Sequence, residues 1–482
     1  MKKILLLMLC ATSMYGMAQN ADDAIRYSNV NPLGTAKFVS MAGATGALGA
    51  DFSSITINPA GLAIYRTDHI SVSPEWTKAK VKGSYNGSTN NATKNSFNMS
   101  NIGFASVFQT GNETGCKSVN FSFSYNRTAN LYRNVLISGY NDSSSELDGE
   151  VAAFNNYVDE GNVFYKADLF IYDSIEGKYF NDYQLADRYG ATQTKSIRSS
   201  GSVGEYSFAL GANFNESFYF GGSVNIVRIN YEQTQKYSEA SDDEEFDLQG
   251  YNVTDYFQSL GRGLNMKLGL IYWLNENVRF GAAFHTPTII DMSDDYSTRV
   301  ESAVWYTTNG STYELHQQSA KTRGGFDWNL TLPGKFVGSA AFVFPNVGLV
   351  DVDCEVIDYS ATSMESDDGD DDNMDLVNNA ISDIYHTTVN LRIGGELSLN
   401  ALALRAGFGY YGSPYVSSEA NKSASQQVYS LGLGWRGPNA YFDFGYNLAA
   451  KKEKHFLYDD ASTMASLNSK QSNVVFTIGF KF

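Results

Sequence analysis

Asn473-Val-Val-Phe-Thr-Ile-Gly-Phe-Lys-Phe482 closes the chain and reads as a single strand. Side chains on a strand alternate between two faces, so Val474, Phe476, Ile478, Phe480 and Phe482 share one face. Val475, Thr477, Gly479 and Lys481 share the other. The first face is apolar throughout; the second is mostly small or polar.

The same alternation recurs back to about residue 67. Val119, Phe121, Phe123 and Tyr125 alternate with Asn120, Ser122, Ser124 and Asn126. Leu264, Met266, Leu268, Leu270 and Tyr272 alternate with Asn265, Lys267 and Gly269. Leu391, Ile393, Leu397 and Leu399 face away from Arg392 and Glu396. The pattern predicts strands over 67–81, 97–110, 116–130, 201–214, 217–232, 262–274, 277–290, 320–344, 347–360, 387–399, 402–412, 426–435, 438–449 and 472–482. That is about 14, an even number. Short turn signals join them in pairs at one end: Gly111-Asn112-Glu113, Asn215-Glu216, Asn275-Glu276-Asn277, Pro345-Asn346, Asn400-Ala401 and Gly437-Pro438-Asn439. Long polar segments join the other ends, at 131–200, 233–261, 291–319, 361–386 and 450–471. This asymmetry, with a terminal strand ending on an aromatic, resembles bacterial outer-membrane β-barrels. The resemblance implies that the apolar face meets lipid and the polar face a lumen, and that the final Phe482 helps direct membrane assembly.

Composition agrees. Aromatics reach 14%, with 32 Tyr and 30 Phe, and charged residues only 18%, against a usual ~25%. No segment after the N-terminus is long and apolar enough for a membrane helix. The net charge of −17 argues against a nucleic-acid partner, whose phosphates need a basic face. Acid runs stand at Asp242-Asp243-Glu244-Glu245 and Asp367-Asp368-Gly369-Asp370-Asp371-Asp372. Neither has EF-hand ligand spacing. They read as solvated loop tips or as sites where a divalent cation bridges to lipid headgroups.

Lys2 and Lys3, the apolar run 4–9, and Gly16 and Ala18 form a secretory signal expected to be cleaved after Ala18. Residues 1–18 are therefore read as the signal peptide, which takes Cys10 with it, 19–66 as an N-terminal plug and 67–482 as the barrel. Cys116 and Cys354 fall on strands far apart and are not expected to pair. Within the plug, residues 36–50 are rich in small side chains and lack strand alternation, as suits a segment packed in a narrow lumen. Among the loops, 146–160, 251–260 and 374–385 carry apolar residues at helical spacing. Val253, Tyr256, Phe257 and Leu260 of the second are candidates for an outer apolar capture groove.

Four motifs then occur in one order along the chain. They are Met41-Ala-Gly-Ala44 with Asp51-Phe-Ser-Ser-Ile-Thr-Ile-Asn-Pro-Ala-Gly-Leu62; Val278-Arg-Phe-Gly-Ala-Ala-Phe-His-Thr-Pro287; Leu332-Pro-Gly-Lys-Phe-Val-Gly338 with Val352-Asp-Cys-Glu-Val-Ile-Asp-Tyr-Ser360; and Arg405-Ala-Gly-Phe-Gly-Tyr-Tyr-Gly-Ser-Pro414. They resemble the FadL/TodX family of outer-membrane transporters for long-chain fatty acids and aromatic hydrocarbons. The resemblance implies an all-β fold, a transmembrane antiparallel barrel of about 14 strands with an N-terminal lumenal hatch. It implies passive uptake of a hydrophobic small molecule and hatch-gated sideways release into the outer membrane of a Gram-negative bacterium. No cofactor or metal is implied.

Asn58, Pro59, Ala60 and Gly61 are the candidate hatch corner. Pro59 fixes φ and lacks an N–H, and Gly61 allows close packing. Lys267, Arg279, Asp351, Asp353, Glu355, Arg392, Glu396, Arg405 and Asp443 are expected to face the lumen. The bland reading is a salt-bridge network of wall and plug. The functional one gives a ligand carboxylate to Arg279 or Arg405, helped by His285. A haem site would need an axial His or Tyr; His69, His285 and His316 show no paired spacing. No Gly-x-Ser-x-Gly elbow is present, and no enzyme is expected. The expected partners are the hydrophobic ligand and outer-membrane lipids, with a monomer as the default for this barrel size. The rival reading is a barrel that carries secreted cargo proteins, as in type IX secretion. A broken ladder in the third strand would favour the transporter.

Overall fold

The computed structural model describes residues 21–28, 32–241, 246–308, 312–367 and 371–482. The expected signal peptide, the acid run 242–245 and the 368–370 part of the second run lie outside the described residues.

Fourteen antiparallel strands close into a barrel. They are β1 (His69–Tyr85), β2 (Ser88–Gln109), β3 (Cys116–Asn130, continuing as Arg133–Asn141), β4 (Ala191–Phe214), β5 (Phe218–Ala240), β6 (Leu248–Trp273), β7 (Val278–His285 and Thr288–Thr308), β8 (Thr312–Leu332 and Lys335–Phe344), β9 (Gly348–Asp358), β10 (Thr387–Leu399), β11 (Leu402–Tyr411), β12 (Gln426–Arg436), β13 (Ala440–Phe456) and β14 (Met464–Lys481). Closure is made by β14 on β1, from His69 opposite Lys481 to Ser84 opposite Ser466. The last residue completes it: Phe482 N–H donates to Asp68 C=O, and Asp68 N–H to Phe482 C=O. In β7 and β8 the interruptions are neighbours. His285 pairs with Lys335 below them and Thr288 with Leu332 above. Pro287 and Pro333, which lack an N–H, therefore sit where the ladder bends.

The strands run well past the segments expected from alternation, into the long-loop regions, and the reason is a change in chemistry at constant parity. In β5 the outward Val224 and Ile226 give way to Arg228, Asn230 and Glu232. The inward Ser223 and Asn225 give way to Val227, Ile229 and Tyr231. In β1 the outward Ile70, Val72 and Trp76 give way to Lys78, Lys80 and Lys82, while inward Glu75 and Thr77 give way to Ala79 and Val81. The lower barrel is apolar outside and polar inside, as lipid requires. The upper barrel obeys the rule of a soluble sheet, with an apolar core.

That core has two parts. One packs the Glu146–Asn156 helix, through Leu147, Val151 and Phe154, against Val81, Ile137 and Tyr251. The other packs Ile25 and Tyr27 of the Ala21–Ser28 helix and Met374 and Ile381 of the Asp371–Ile384 helix against Val227, Ile229, Ile290 and Leu330 of the wall. Helices are thus found within 146–160 and 374–385. Residues 251–260 are instead strand, in β6. The apolar spacing there suited either element, and pairing with β5 and β7 along that whole stretch decided it. Cys116 and Cys354 are free.

The change of polarity makes a prediction. Met266→Arg on the outward face of the lower belt should cost about 2–4 kcal/mol. Asn230→Arg, outward but above the belt, should stay within about 0.5 kcal/mol of the parent. Denaturant-titrated refolding into lipid vesicles measures both.

Candidate functional site

Residues 32–65 fold into the barrel lumen as short turns rather than strands. Thr35 Oγ1 caps the Ala36–Ser40 helix by accepting from Phe38 N–H. Asp51 accepts from Thr35 Oγ1 through one oxygen and from the Ser53 and Ser54 amides through the other, tying the segment to itself. Asn58 caps the Pro59–Ile64 turn by accepting from Ala60 N–H, with Pro59 at a position where no donor is needed. Asn58 Nδ2 also donates to Gly46 C=O at 2.8 Å and to Leu270 C=O of β6 at 3.1 Å. The expected corner residues Asn58, Pro59, Ala60 and Gly61 are all buried where segment meets wall.

The wall admits this segment because inward positions on successive strands are glycine. A Cβ on Gly221 would stand 2.3 Å from Pro59 C, one on Gly269 2.0 Å from Asn58 Oδ1, and one on Gly407 2.4 Å from Met41 C. Backbone thus lies against backbone at Gly221 and Gly407, and the Asn58 side chain takes the space over Gly269. Sequence reasoning missed this belt. The signal was there in parity, because these glycines fall on the lumen face of their strands.

Wall side chains also grip the segment's backbone. Asp353 accepts from the Thr45 and Gly46 amides at 3.2 Å, and Asp351 from Ala47 N–H at 3.3 Å. Asp353 is joined through Arg392, at 3.6 Å, to Glu355 and on to Lys335. Asn120 Nδ2 donates to Leu62 C=O and Tyr65 C=O.

The expected lumenal charges face inward, and most are paired with one another. Lys267 bonds Glu205 at 2.5 Å. Arg405 bonds Glu396 at 2.6 Å and Asp443 at 2.7 Å. Arg279 stands near the short-turn rim, its guanidinium 3.8 Å from the Trp273 ring centre. His285 Nε2 is 2.8 Å from Ile57 C=O. The three head-group candidates therefore engage wall or lumenal segment. The capture-groove candidates are split by strand parity. Val253 is buried in the upper core and Phe257 packs against its second part, whereas Leu260 points outward.

One feature of the wall is irregular. The β2–β3 ladder runs only from Gln109 opposite Ser118 to Asn101 opposite Asn126. Above it β2 pairs with β1 alone, and the continuation of β3 with β4 alone. The ladder ends beside a register shift in β1 at Ser73/Pro74 and one in β3 between Arg127 and Ala129. Side chains replace it. Asn101 Nδ2 donates to Tyr125 C=O and Asn126 Oδ1, and Asn130 Nδ2 to Thr77 Oγ1 and Ser96 Oγ. Glu75 and Arg127 are buried here, and Glu75 Oε2 and Arg127 Nε have no hydrogen-bond partner among the described residues. The lumenal segment is fastened at this spot: Gly34 N–H donates to Ser100 Oγ at 2.8 Å, and Ser53 Oγ to Asn126 Oδ1 at 2.9 Å.

An apolar belt, a barrel closed by β14 on β1 and a segment folded into the lumen define a transmembrane β-barrel of the outer-membrane type. Among solved structures the chain is similar to a Pseudomonas aeruginosa FadL homologue, with TM-score 0.56, 12% identity, and 94% of this chain and 99% of that one covered. It is similar to the P. putida toluene transporter TodX with the same four values. For the Ralstonia pickettii toluene transporter TbuX the TM-score is 0.51 at 13% identity, covering 94% and 100%. No family model and no curated protein matches the sequence.

Replacing Asp351 and Asp353 together by Ala should release the 45–47 turn. Amide hydrogen exchange at Thr45, Gly46 and Ala47 should then rise about tenfold or more, since hydrogen bonds to charged groups contribute ~1.5–3 kcal/mol each. Mass-spectrometric exchange on the detergent-solubilised protein reads this directly.

Proposed function

We propose that the protein is an outer-membrane channel for passive uptake of hydrophobic small molecules, long-chain fatty acids or similar amphiphiles. In this reading residues 32–65 act as a hatch, and the ligand leaves sideways through the β2–β3 break into the membrane. The observation that carries the reading is the ladder ending at Asn101 and Asn126, with the hatch bonded to Asn126 and to Ser100. Movement of the hatch would free the side chains that seal the break.

The energetics are consistent. Unpartnered backbone groups in hydrocarbon cost several kcal/mol each, so a break persists where polar side chains stand in. Above the hatch, Val227, Ile229, Ile290 and Leu330 lie under the Ala21–Ser28 and Asp371–Ile384 helices; with those helices moved aside they would bind acyl chains at roughly 0.8 kcal/mol per buried CH₂. The uncommitted Arg127 and Glu75 atoms at the break give a polar head group a foothold, which favours an amphiphile over a bare hydrocarbon. Two of the similar structures are named as toluene transporters, which supports the hydrophobic class of ligand. Arg405 and His285 serve the wall and hatch in this reading. A carrier of secreted proteins would have no use for a broken wall.

Cysteines at Ser96 and Asn130, whose side chains touch at 3.4 Å across the break, test the exit. With Cys116 and Cys354 replaced by Ser, the oxidised S96C/N130C protein should lose uptake of labelled fatty acid in whole cells, and reductant should restore it. Undiminished uptake with the crosslink formed would remove the lateral exit.

A further inference from the structure

The lysines that take over the outer face of β1 continue onto its neighbours. Lys78, Lys80 and Lys82 of β1 stand beside Lys470 of β14, and Lys452 and Lys454 of β13 follow. All of these lie on the outward parity of their strands. Across β13, β14, β1 and β2 the outward face carries no carboxylate. The acids of these strands, Glu75, Asp443 and Glu453, have the inward parity, and Glu453 is engaged by Arg133 and Lys451. This is a cationic patch on a chain whose net charge is −17.

The arrangement is unfavourable by itself. Lys80 lies directly opposite Lys470 in the ladder, and like charges so placed repel. Of the six, Lys454 has a hydroxyl partner, Ser466, at 2.7 Å. The surface here is concave as well as charged. Lys82, Lys452 and Lys454, with Ser84, Asn421 and Asn468, line a cleft of about 420 Å³; Glu453 also lines it, its charge engaged by Arg133 and Lys451.

Its height identifies the ligand. Trp76, Val474 and Tyr446 form the upper edge of the apolar belt; Lys78 is the next outward residue above Trp76, and Lys82 at the cleft lies about 20 Å further along the strand than Trp76. A lipid held along this column has its charged groups above the belt, from Lys78, Lys80 and Lys470 up to the cleft, with apolar wall below for its acyl chains. We propose that this lysine column and its cleft bind the phosphate groups of an acylated, phosphorylated lipid on the long-loop side of the membrane. Lysine supplies compact point charges suited to phosphate, and the Ser and Asn side chains supply neutral hydrogen bonds. The site serves membrane anchorage and orientation, apart from the lumen and the β2–β3 break.

The test uses the full chain in nonionic detergent. The probes are a diphosphorylated, acylated glucosamine disaccharide, the same lipid without phosphates, and inorganic phosphate. Native mass spectrometry should detect the phosphorylated lipid bound at physiological ionic strength. The variant K80Q/K82Q/K452Q should weaken binding about tenfold or more, while K80R/K82R/K452R, which keeps the charge, retains it and controls for folding. Equal binding by the Gln variant, equal binding of the phosphate-free lipid, or displacement of the lipid by equimolar inorganic phosphate would each overturn the proposal. None of these readouts depends on uptake, so the transport reading can fail without touching this one.

Discussion

Hydrocarbon offers a backbone amide no hydrogen-bond partner, and every feature of this protein answers to that. A sheet in lipid must have no edge, so β14 returns to β1 and even Phe482 spends its main chain on Asp68. Closure encloses a lumen. Residues 32–65 occupy it, laying backbone against inward glycines and offering their amides to Asp351 and Asp353. The β2–β3 break is the exception. It is tolerated because Asn101, Asn126 and Asn130 stand in for ladder bonds, and it is linked to the lumen because the segment's own bonds end there.

The lower barrel was legible in the sequence because lipid and lumen impose opposite chemistry at a period of two. Val119 to Asn126 and Leu264 to Lys267 show it plainly, and the fourteen strands follow. What was less legible was where strands end. Alternation was sought as apolar-out, and at Arg228, Lys78 and Lys470 the outward residues become polar while the strand continues. Read with its inversion included, the same period-two signal would have carried β5 on toward Ala240 and β1 to Tyr85. Residues 251–260 misled for a related reason. Val253 and Phe257 are four apart, a spacing that fits a helix face and also one face of a strand, and partner strands decided between them.

The site was legible in part. Asn58 and Pro59 stand at the junction with the wall that their chemistry suggested, and the inward charges are where parity put them. Their partners could not be read. That Arg405 is held by Glu396 and Asp443, or His285 by Ile57, depends on which strands adjoin and how far the lumenal segment reaches, neither of which lies in local pattern. The wall break left no sequence mark beyond Pro74 and the polar run 126–130, since a missing ladder is a property of two strands together.

The most direct test of the account is photolabelling with a diazirine-bearing long-chain fatty acid in the native membrane, followed by mapping of the labelled peptides. The lateral route predicts labelling of residues 96–101 and 126–132, on the two sides of the break, at the expense of the rest of the wall. Label distributed evenly around the apolar belt, or confined to the short-turn rim near Arg279 and Trp273, would contradict it.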